Sequence, residues 1–242
     1  MSAPLRRLGR AAYIAYGGSV IAVVMVVLWL VTGFVRSARV AVALQRLASR
    51  IMLGALGCRF VVRGAPPAAH GGARVLVANH TSYLDIPLML AALGCDFAFV
   101  TKHELLEWPL IARITRGGGH IPVDRERATS RAAAVARVVK TLRAGRSVLL
   151  FPEGTFSFDE GLRPFHAGAF KCAVAAGVPV VPIALEGVAG VWSQHARFPR
   201  SGRVEIWVGD PIEPPASGDE ETRVEALRSE AHRFIAAHAR RA

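Results

Sequence analysis

The segment VANHTSYLD, residues 77–85, places a histidine and an aspartate five positions apart. It continues the apolar run RVLVA, which is typical of a buried strand. A histidine accepts protons near neutral pH and is a better base when a carboxylate fixes its tautomer. If a turn follows His80 and a helix then begins, Asp85 can fold back to the ring. Spacing alone leaves a second interpretation open, a structural histidine with Asp85 as a helix-capping residue.

A second candidate segment, FPEGTFSFDEGLRPFHAGAF, follows the continuous apolar run SVLL. Here Glu153 supplies an acceptor, Thr155 a hydroxyl, and Gly154 permits close approach of a ligand. Ligands of open α/β sheets bind outside the carboxyl ends of the strands, so both segments are expected at the same edge. An isolated PEG is also common as a plain turn between a strand and a helix.

The sequence lacks the motifs that indicate several other kinds of catalysis. There is no GxSxG segment, no HExxH segment, and the eight histidines show no metal-ligand spacing. The three cysteines are scattered without a CxxC, which argues against a zinc site or a disulfide framework. Ser82 lies beside His80, but no second feature supports it as a nucleophile. We therefore predict no metal, and direct attack by a substrate hydroxyl.

Beyond Gly57, short apolar runs alternate with helical stretches. Strands are predicted for CRFVVRG, ARVLVANH, DFAFVTK, SVLLFPEG, VPVVPIAL and RVEIWVG. Helices are predicted for IPLMLAAL, ATSRAAAVARVVKTLRAG, AGAFKCAVAAG and residues 218–242. This alternation predicts an α/β fold, a mixed and largely parallel sheet flanked by helices.

An apolar helix is predicted at about residues 11–35, which contain no charged side chain. Its length of about 37 Å exceeds a hydrocarbon core of about 30 Å. The run is too long for the apolar core of a cleaved signal peptide. Arginines flank it on both sides, so the positive-inside rule assigns no orientation. Whether the helix spans a membrane or dips into one leaflet stays open.

An amphipathic helix is predicted at about residues 37–57. Arg39, Arg46 and Arg50 share one face. This pattern fits a helix lying among lipid phosphates, although a solvated face on a helix packed against the domain is the alternative. We predict membrane-anchoring helices over residues 1–57, which form an N-terminal membrane-associated segment, and one domain over residues 58–242.

The charge balance indicates an acidic partner. Thirty Lys and Arg against eighteen Asp and Glu give a formal charge of +12. Hydrophobic residues make up 52% of the chain, which favours a membrane surface over nucleic acid. No helix-turn-helix, zinc-finger or basic-aromatic pattern is present. We predict a membrane partner and no nucleic acid.

Four ordered blocks, NHTSYLD, GGHIPVDR, FPEGT and VPVVPIAL, resemble the lysophosphatidic acid acyltransferase family of glycerolipid acyltransferases. The likeness runs from about Val75 to Leu185. Members transfer a fatty acyl group from coenzyme A or acyl carrier protein to a lysophospholipid hydroxyl. The resemblance implies an acyltransferase domain at 58–242, no cofactor besides the thioester co-substrate, and phosphatidic acid as product. It also implies an inner or plasma membrane location with the catalytic domain on the cytoplasmic face.

The resemblance also implies roles for individual residues. His80 becomes the general base that deprotonates the acceptor hydroxyl, and Asp85 orients it. Arg125 becomes a phosphate partner, with Lys102 as a second candidate for that task. The implied substrate-binding residues are Asn79, Lys102, Arg125, Glu153, Gly154, Thr155 and Arg163.

One position departs from the family pattern. The third block commonly continues with an arginine after the threonine, and here that position is Phe156. Arg163 or Lys171 can supply the missing cation. Alternatively, the acceptor is another lysolipid, such as a lyso-aminolipid or a lysophospholipid with a larger head group. A thioesterase, or a non-catalytic membrane adaptor, are the other functions that the sequence leaves open.

Overall fold

A computed structural model of the chain describes residues 3–65, 67, 71–124, 127–155, 161–193, 196 and 198–239. The helices are α1 Ala3–Thr32, α2 Ala38–Ala55, α3 Asp85–Ala92, α4 Pro109–Gly117, α5 Ala128–Arg143, α6 Gly168–Ala176, α7 Val188–Val191 and α8 Glu220–His238. The strands are β1 Cys58–Arg63, β2 Val75–Ala78, β3 Phe97–Lys102, β4 Ile121–Val123, β5 Ser147–Leu150, β6 Val180–Glu186 and β7 Gly202–Val208. A 3₁₀ turn, His103–Glu107, precedes α4.

Within the described ranges, the strands form one seven-stranded sheet in the order β1-β7-β6-β2-β5-β3-β4. Five neighbouring pairs are parallel, and β6 and β7 are antiparallel. The predicted mixed, largely parallel sheet flanked by helices is confirmed. The carboxyl ends of β2, β5 and β3 lie side by side, which places the two candidate segments at one edge.

Strand β2 occupies the middle of the sheet and is buried on both faces. Leu76 and Ala78 lie in a cluster with α2 and α3, whereas Val75 and Val77 pack with α5, α6 and α8. Burying a side chain such as Leu76 contributes about 1.5–3 kcal/mol. This two-sided burial explains why the strand is a continuous apolar run, and it gives the following loop a rigid base.

Helix α1 contains the apolar stretch found in the sequence. Leu8–Thr32 has a mean hydropathy of 2.4 and is long and apolar enough to cross a membrane, by length and composition. The most apolar 18 residues of this stretch are only 6% buried by the rest of the chain. Helix α1 contacts both α2 and α4. The Tyr13 hydroxyl donates to Leu56 O, just after α2, at 2.9 Å. At the other end of α1, the Thr32 hydroxyl donates to Leu28 O.

Helix α2 packs closely on α3, and two of its arginines contact α3. Arg46 donates to Leu90 O and Cys95 O, at 3.3 and 2.6 Å, and Arg50 donates to Ala91 O at 2.9 Å. These carbonyl groups lie at and just after the carboxyl end of α3, where a helix has unsatisfied acceptors and favours positive charge. The two arginines therefore bind the domain, whereas the Arg39 side chain is 80% exposed. The interfacial position of this helix stays a prediction.

The buried face of α2 is continuous with the core of the sheet. Val42 and Leu53 belong to the same cluster as Leu76. Gln45 is 2% exposed; it donates to Ile114 O and bonds to Nε2 of His120. Helix α2 therefore shares one buried core with the sheet.

Candidate active site

His80 and Asp85 form a direct contact at the carboxyl end of β2. The His80 Nδ1 to Asp85 Oδ2 distance is 2.7 Å. The same Oδ2 accepts the backbone N–H groups of Thr81 and Ser82, at 2.7 and 2.9 Å. Three donors on one oxygen indicate an ionised carboxylate, so the hydrogen lies on Nδ1 and Nε2 keeps its lone pair. The ring is thus held in the tautomer that a general base requires.

Asp85 is the first residue of α3, and the loop 81–84 turns back to it. Its side chain is fully buried. An anion at a helix N-terminus is stabilised by the helix dipole and by the free N–H groups of the first turn. The N–H groups that Oδ2 accepts belong to Thr81 and Ser82, which precede α3, and the N-cap residue of the helix is Leu84. Asp85 therefore binds the loop and the ring and does not cap the helix.

Two polar side chains hold this loop in place. The Asn79 amide donates to Leu185 O at 2.9 Å and accepts Leu185 N–H at 2.7 Å, which extends the pairing of β2 with β6. The Ser82 hydroxyl donates to Trp192 O at 2.6 Å and accepts Leu84 N–H at 3.1 Å. Asn79 is 2% exposed and Ser82 is 1% exposed. Asn79 thus connects two strands, and its contact with substrate stays a prediction.

Glu153 holds the backbone in the same way. The residue is 3% exposed; Oε1 accepts His80 N–H at 2.8 Å, and Oε2 accepts Arg163 N–H at 3.0 Å. Phe151 stacks on the His80 ring, with centroids 4.0 Å apart and planes at 15°. Glu153 therefore fixes the backbone of His80 relative to β5, and its contact with the acceptor hydroxyl stays a prediction.

Gly154 is required by the turn after β5. Its φ is +74°, and its N–H donates to Phe151 O at 3.1 Å. A Cβ at this position would lie 2.9 Å from His166 Cδ2. The Gly154 amide is therefore used within the turn.

A cavity of about 660 Å³ opens beside the turn, between the sheet and helices α5 and α6. Its size lies within the range of pockets for small ligands, roughly 300–1,000 Å³. Most of its lining is apolar, and polar side chains converge on it from α5 and from the segment between β5 and α6. They are Arg131, Glu153, Thr155, Arg163 and His166.

Four of the predicted residues line this cavity. Glu153, Gly154, Thr155 and Arg163 contribute to its wall. Lys102 is exposed at the end of β3, outside the lining. Arg125 lies outside the described residues.

Sequence reasoning assigned no role to Arg131 and His166. A single polar residue in a long helix or in a loop forms no recognisable sequence motif. Arg131 and His166 are identified only because both line the cavity. The lining also includes Cys172, and burial raises the pKa of its thiol to about 12, so it acts as a small apolar side chain. Among the described residues, no group of three His, Cys, Asp or Glu side chains is placed to hold a metal ion.

The chain shows the fold of a solved structure. The crystal structure of the 1-acyl-sn-glycerophosphate acyltransferase PlsC from Thermotoga maritima matches it with a TM-score of 0.74, over 95% of this chain and 97% of that one, at 21% identity.

Curated relatives are similar in sequence over shorter stretches. The chloroplastic 1-acyl-sn-glycerol-3-phosphate acyltransferase of Brassica napus is 39% identical over 139 residues, which are 57% of this chain and 40% of the relative. The lyso-ornithine lipid O-acyltransferase of Pseudomonas aeruginosa is 40% identical over 109 residues, 45% of this chain and 41% of the relative. The chain thus matches about two fifths of the length of these two relatives.

The family profile described as Acyltransferase matches residues 59–186. The matched region begins in β1 and ends with β6. It therefore contains His80, Asp85, Glu153 and the cavity beside them. By this match over more than half of its length, the chain belongs to the Acyltransferase family.

Proposed function

We propose that the chain transfers a fatty acyl group from acyl-coenzyme A or acyl carrier protein to the free hydroxyl of lysophosphatidic acid, giving phosphatidic acid for phospholipid biosynthesis. The 2.7 Å contact between His80 Nδ1 and buried Asp85 Oδ2 carries this proposal. It leaves Nε2 as a base, and the neighbouring cavity has an apolar lining that suits a lipid chain. The name of the Brassica napus relative supports this acceptor.

The reaction follows from the base and its carboxylate. The acceptor hydroxyl oxygen attacks the thioester carbonyl carbon while His80 Nε2 takes the hydroxyl proton. The imidazolium that results is stabilised by Asp85, whose charge lies 2.7 Å from Nδ1. When the tetrahedral intermediate collapses, the carbon–sulfur bond breaks and His80 returns the proton to the thiolate. The products are an ester and a free thiol, and no covalent intermediate with the protein is formed.

We assign the acceptor's polar end to the cations of the cavity. Arg163 and Arg131 line it, and a guanidinium can bind two phosphate oxygens at once. Thr155 offers a hydroxyl on the same wall. We also propose that Arg125 and Lys102 bind the same phosphate. Arg125 is proposed because it belongs to the GGHIPVDR block, and Lys102 because it lies at the end of β3.

A second acceptor is favoured by two observations. The Pseudomonas aeruginosa relative is named for a lyso-ornithine lipid. In addition, Phe156 occupies the position where the family commonly has an arginine. Both observations favour an acceptor whose head group needs less positive charge, a lyso-aminolipid, while the chemistry at His80 stays the same.

The assay uses the purified full chain in detergent micelles with each thioester donor and a panel of lysolipids. The panel contains lysophosphatidic acid, lysophosphatidylethanolamine and lyso-ornithine lipid, and mass spectrometry identifies the acylated product. We expect phosphatidic acid as the main product. Free fatty acid without any acylated lipid indicates a thioesterase. If no thioester is consumed and a His80/Asp85 double variant still binds vesicles, the chain is a non-catalytic adaptor. That result overturns the proposal.

We further propose that α1 anchors the chain in an inner or plasma membrane with the catalytic domain on the cytoplasmic face, where both thioester donors are available. The apolar stretch Leu8–Thr32 supports the anchor. The native cysteines are buried, so a cysteine introduced at exposed Ala237 gives a selective label. We expect A237C to react with an impermeant maleimide in inverted membrane vesicles and not in right-side-out vesicles. The opposite pattern contradicts the cytoplasmic orientation.

A further inference from the structure

A second cavity, of about 880 Å³, lies between the carboxyl end of α1, the linker to α2, and α4. It is distinct from the cavity beside His80, because the two share no lining residue. Three arginines line it: Arg36 from the linker, and Arg113 and Arg116 from one face of α4. Among the described residues, no acidic side chain contributes to its wall.

These three guanidinium groups lack carboxylate partners among the described residues. The ion pairs of the described chain involve other arginines, such as Arg63, Arg127, Arg146 and Arg228. Positive charges that converge on one concave wall repel one another and raise the local concentration of anions. A phosphate group relieves this repulsion and can accept hydrogen bonds from more than one guanidinium.

Arg113 is oriented before any ligand binds. Its guanidinium carbon lies 4.5 Å from the centroid of the Trp29 ring, a cation–π contact. It also lies so close to Gly33 that a Cβ at that position would overlap the guanidinium. The absence of a side chain at Gly33 thus makes room for the cation, and a fixed guanidinium loses less conformational freedom on binding.

The place of the cavity in the fold suggests where its anion comes from. The apolar stretch Leu8–Thr32 ends at its wall, which Thr32 and Gly33 help to form. Phe34 is 86% exposed, and Trp108, adjacent to α4, is 67% exposed. An apolar helix that ends among arginines and exposed aromatic side chains is typical of the level of lipid head groups.

We propose that this cavity binds the phosphate of an anionic membrane lipid. The lipid's glycerophosphate group contacts Arg113 and Arg116, with Arg36 closing the site from the linker. Its acyl chains lie along the exposed apolar surface of α1. The site holds α1 and α4 at a fixed level relative to the membrane surface, and it does not depend on which acceptor the active site uses.

The test measures lipid binding rather than turnover, so its result is independent of the proposed reaction. The full chain in dodecyl maltoside micelles is titrated with dioctanoyl phosphatidylglycerol, and its melting temperature gives the apparent Kd. Dioctanoyl phosphatidylcholine and inorganic phosphate are titrated in parallel. We expect stabilisation by phosphatidylglycerol, and binding weakened about tenfold or more in the R113Q/R116Q variant. The matched control R59Q/R233Q removes two exposed charges elsewhere and should bind like the unmodified chain.

A second variant keeps all charges. In G33A, the added methyl group displaces the Arg113 guanidinium, so phosphatidylglycerol binding should weaken while the net charge is unchanged. Equal stabilisation by phosphatidylcholine, or unchanged phosphatidylglycerol binding in both R113Q/R116Q and G33A, overturns the proposal. Stabilisation by inorganic phosphate equal to that by the lipid identifies a free-anion site and also overturns it.

Discussion

Replacing Glu153 by glutamine distinguishes the position that the structure gives this residue from the substrate contact that the sequence predicts. Its two carboxylate oxygens accept His80 N–H and Arg163 N–H, at 2.8 and 3.0 Å. In the E153Q variant one of these oxygens becomes an NH₂ group, which cannot accept. One buried backbone N–H therefore loses its acceptor and faces a donor.

The size of the effect follows from this geometry. An unsatisfied buried donor costs about 1–3 kcal/mol. If the backbone of His80 shifts to relieve this contact, the base moves away from its productive position and kcat falls by about 5- to 150-fold. If it does not shift, the same free energy is lost from the stability of the fold. In both cases Glu153 has 3% of its surface exposed, so the KM for the acceptor should change little.

The assay combines steady-state acyl transfer with thermal unfolding for E153Q and two controls. Glu186→Gln removes a carboxylate that accepts Trp207 Nε1–H and is not bonded to His80, so it controls for the lost charge. Thr155→Val alters an exposed cavity residue and should raise KM without lowering stability. A raised KM in E153Q, with unchanged kcat and melting temperature, refutes our reasoning and restores the substrate contact.

Four further outcomes test the site and the fold. His80→Ala should lower kcat by about 10²–10⁴-fold while the chain still unfolds cooperatively, and retained turnover excludes it as the base. Asp85→Asn should lower kcat by a similar factor, since the amide carries no charge to stabilise the imidazolium; a change confined to KM contradicts this role. Phe156→Arg should raise kcat/KM for lysophosphatidic acid relative to lyso-ornithine lipid by about tenfold, measured in one mixed-acceptor assay. Burial, with a smaller effect of the Arg146 charge, lowers the pKa of His120 from 6.5 to about 3. The folding stability that comes from keeping His120 neutral is therefore fully present above pH 6.5 and decreases as the pH falls below 6.5. Between pH 7 and pH 5, the unmodified chain should lose about 2 kcal/mol more of its unfolding free energy than His120→Asn does, and parallel denaturant profiles contradict this.

The strands and the catalytic pair were accessible to sequence reasoning because their signals are local. The apolar run at β2 reflects burial on both faces. The strand can therefore be predicted without knowing which elements cover it. The five-position spacing of His80 and Asp85 allows one turn and the start of a helix, so their contact depends on a short segment. The short elements α4 and β4 were missed because a nine-residue helix and a three-residue strand carry little periodicity.

The roles of Asn79 and Glu153 were not accessible in this way. Asn79 bonds to Leu185, 106 positions away, and Glu153 bonds to His80, 73 positions away. Their residue types suit a substrate contact as well as a backbone contact, and only the tertiary fold distinguishes the two. The arginines of α2 present the same difficulty, because a helical wheel identifies a basic face without indicating what that face meets.

The position of His80 therefore depends on three segments that meet only in the folded chain. Asp85 fixes the ring, Glu153 fixes the backbone of His80 to the turn after β5, and Asn79 fixes the start of the loop to β6. Each of these three residues is at most 3% exposed. Their hydrogen bonds make the loop around His80 rigid, and they offset the unfavourable free energy of removing the polar groups from water. A core of this kind tolerates changes in the cavity wall without moving the base. We therefore expect a substitution in the cavity wall, such as at Arg163, to change acceptor preference while the proposed reaction at His80 is kept.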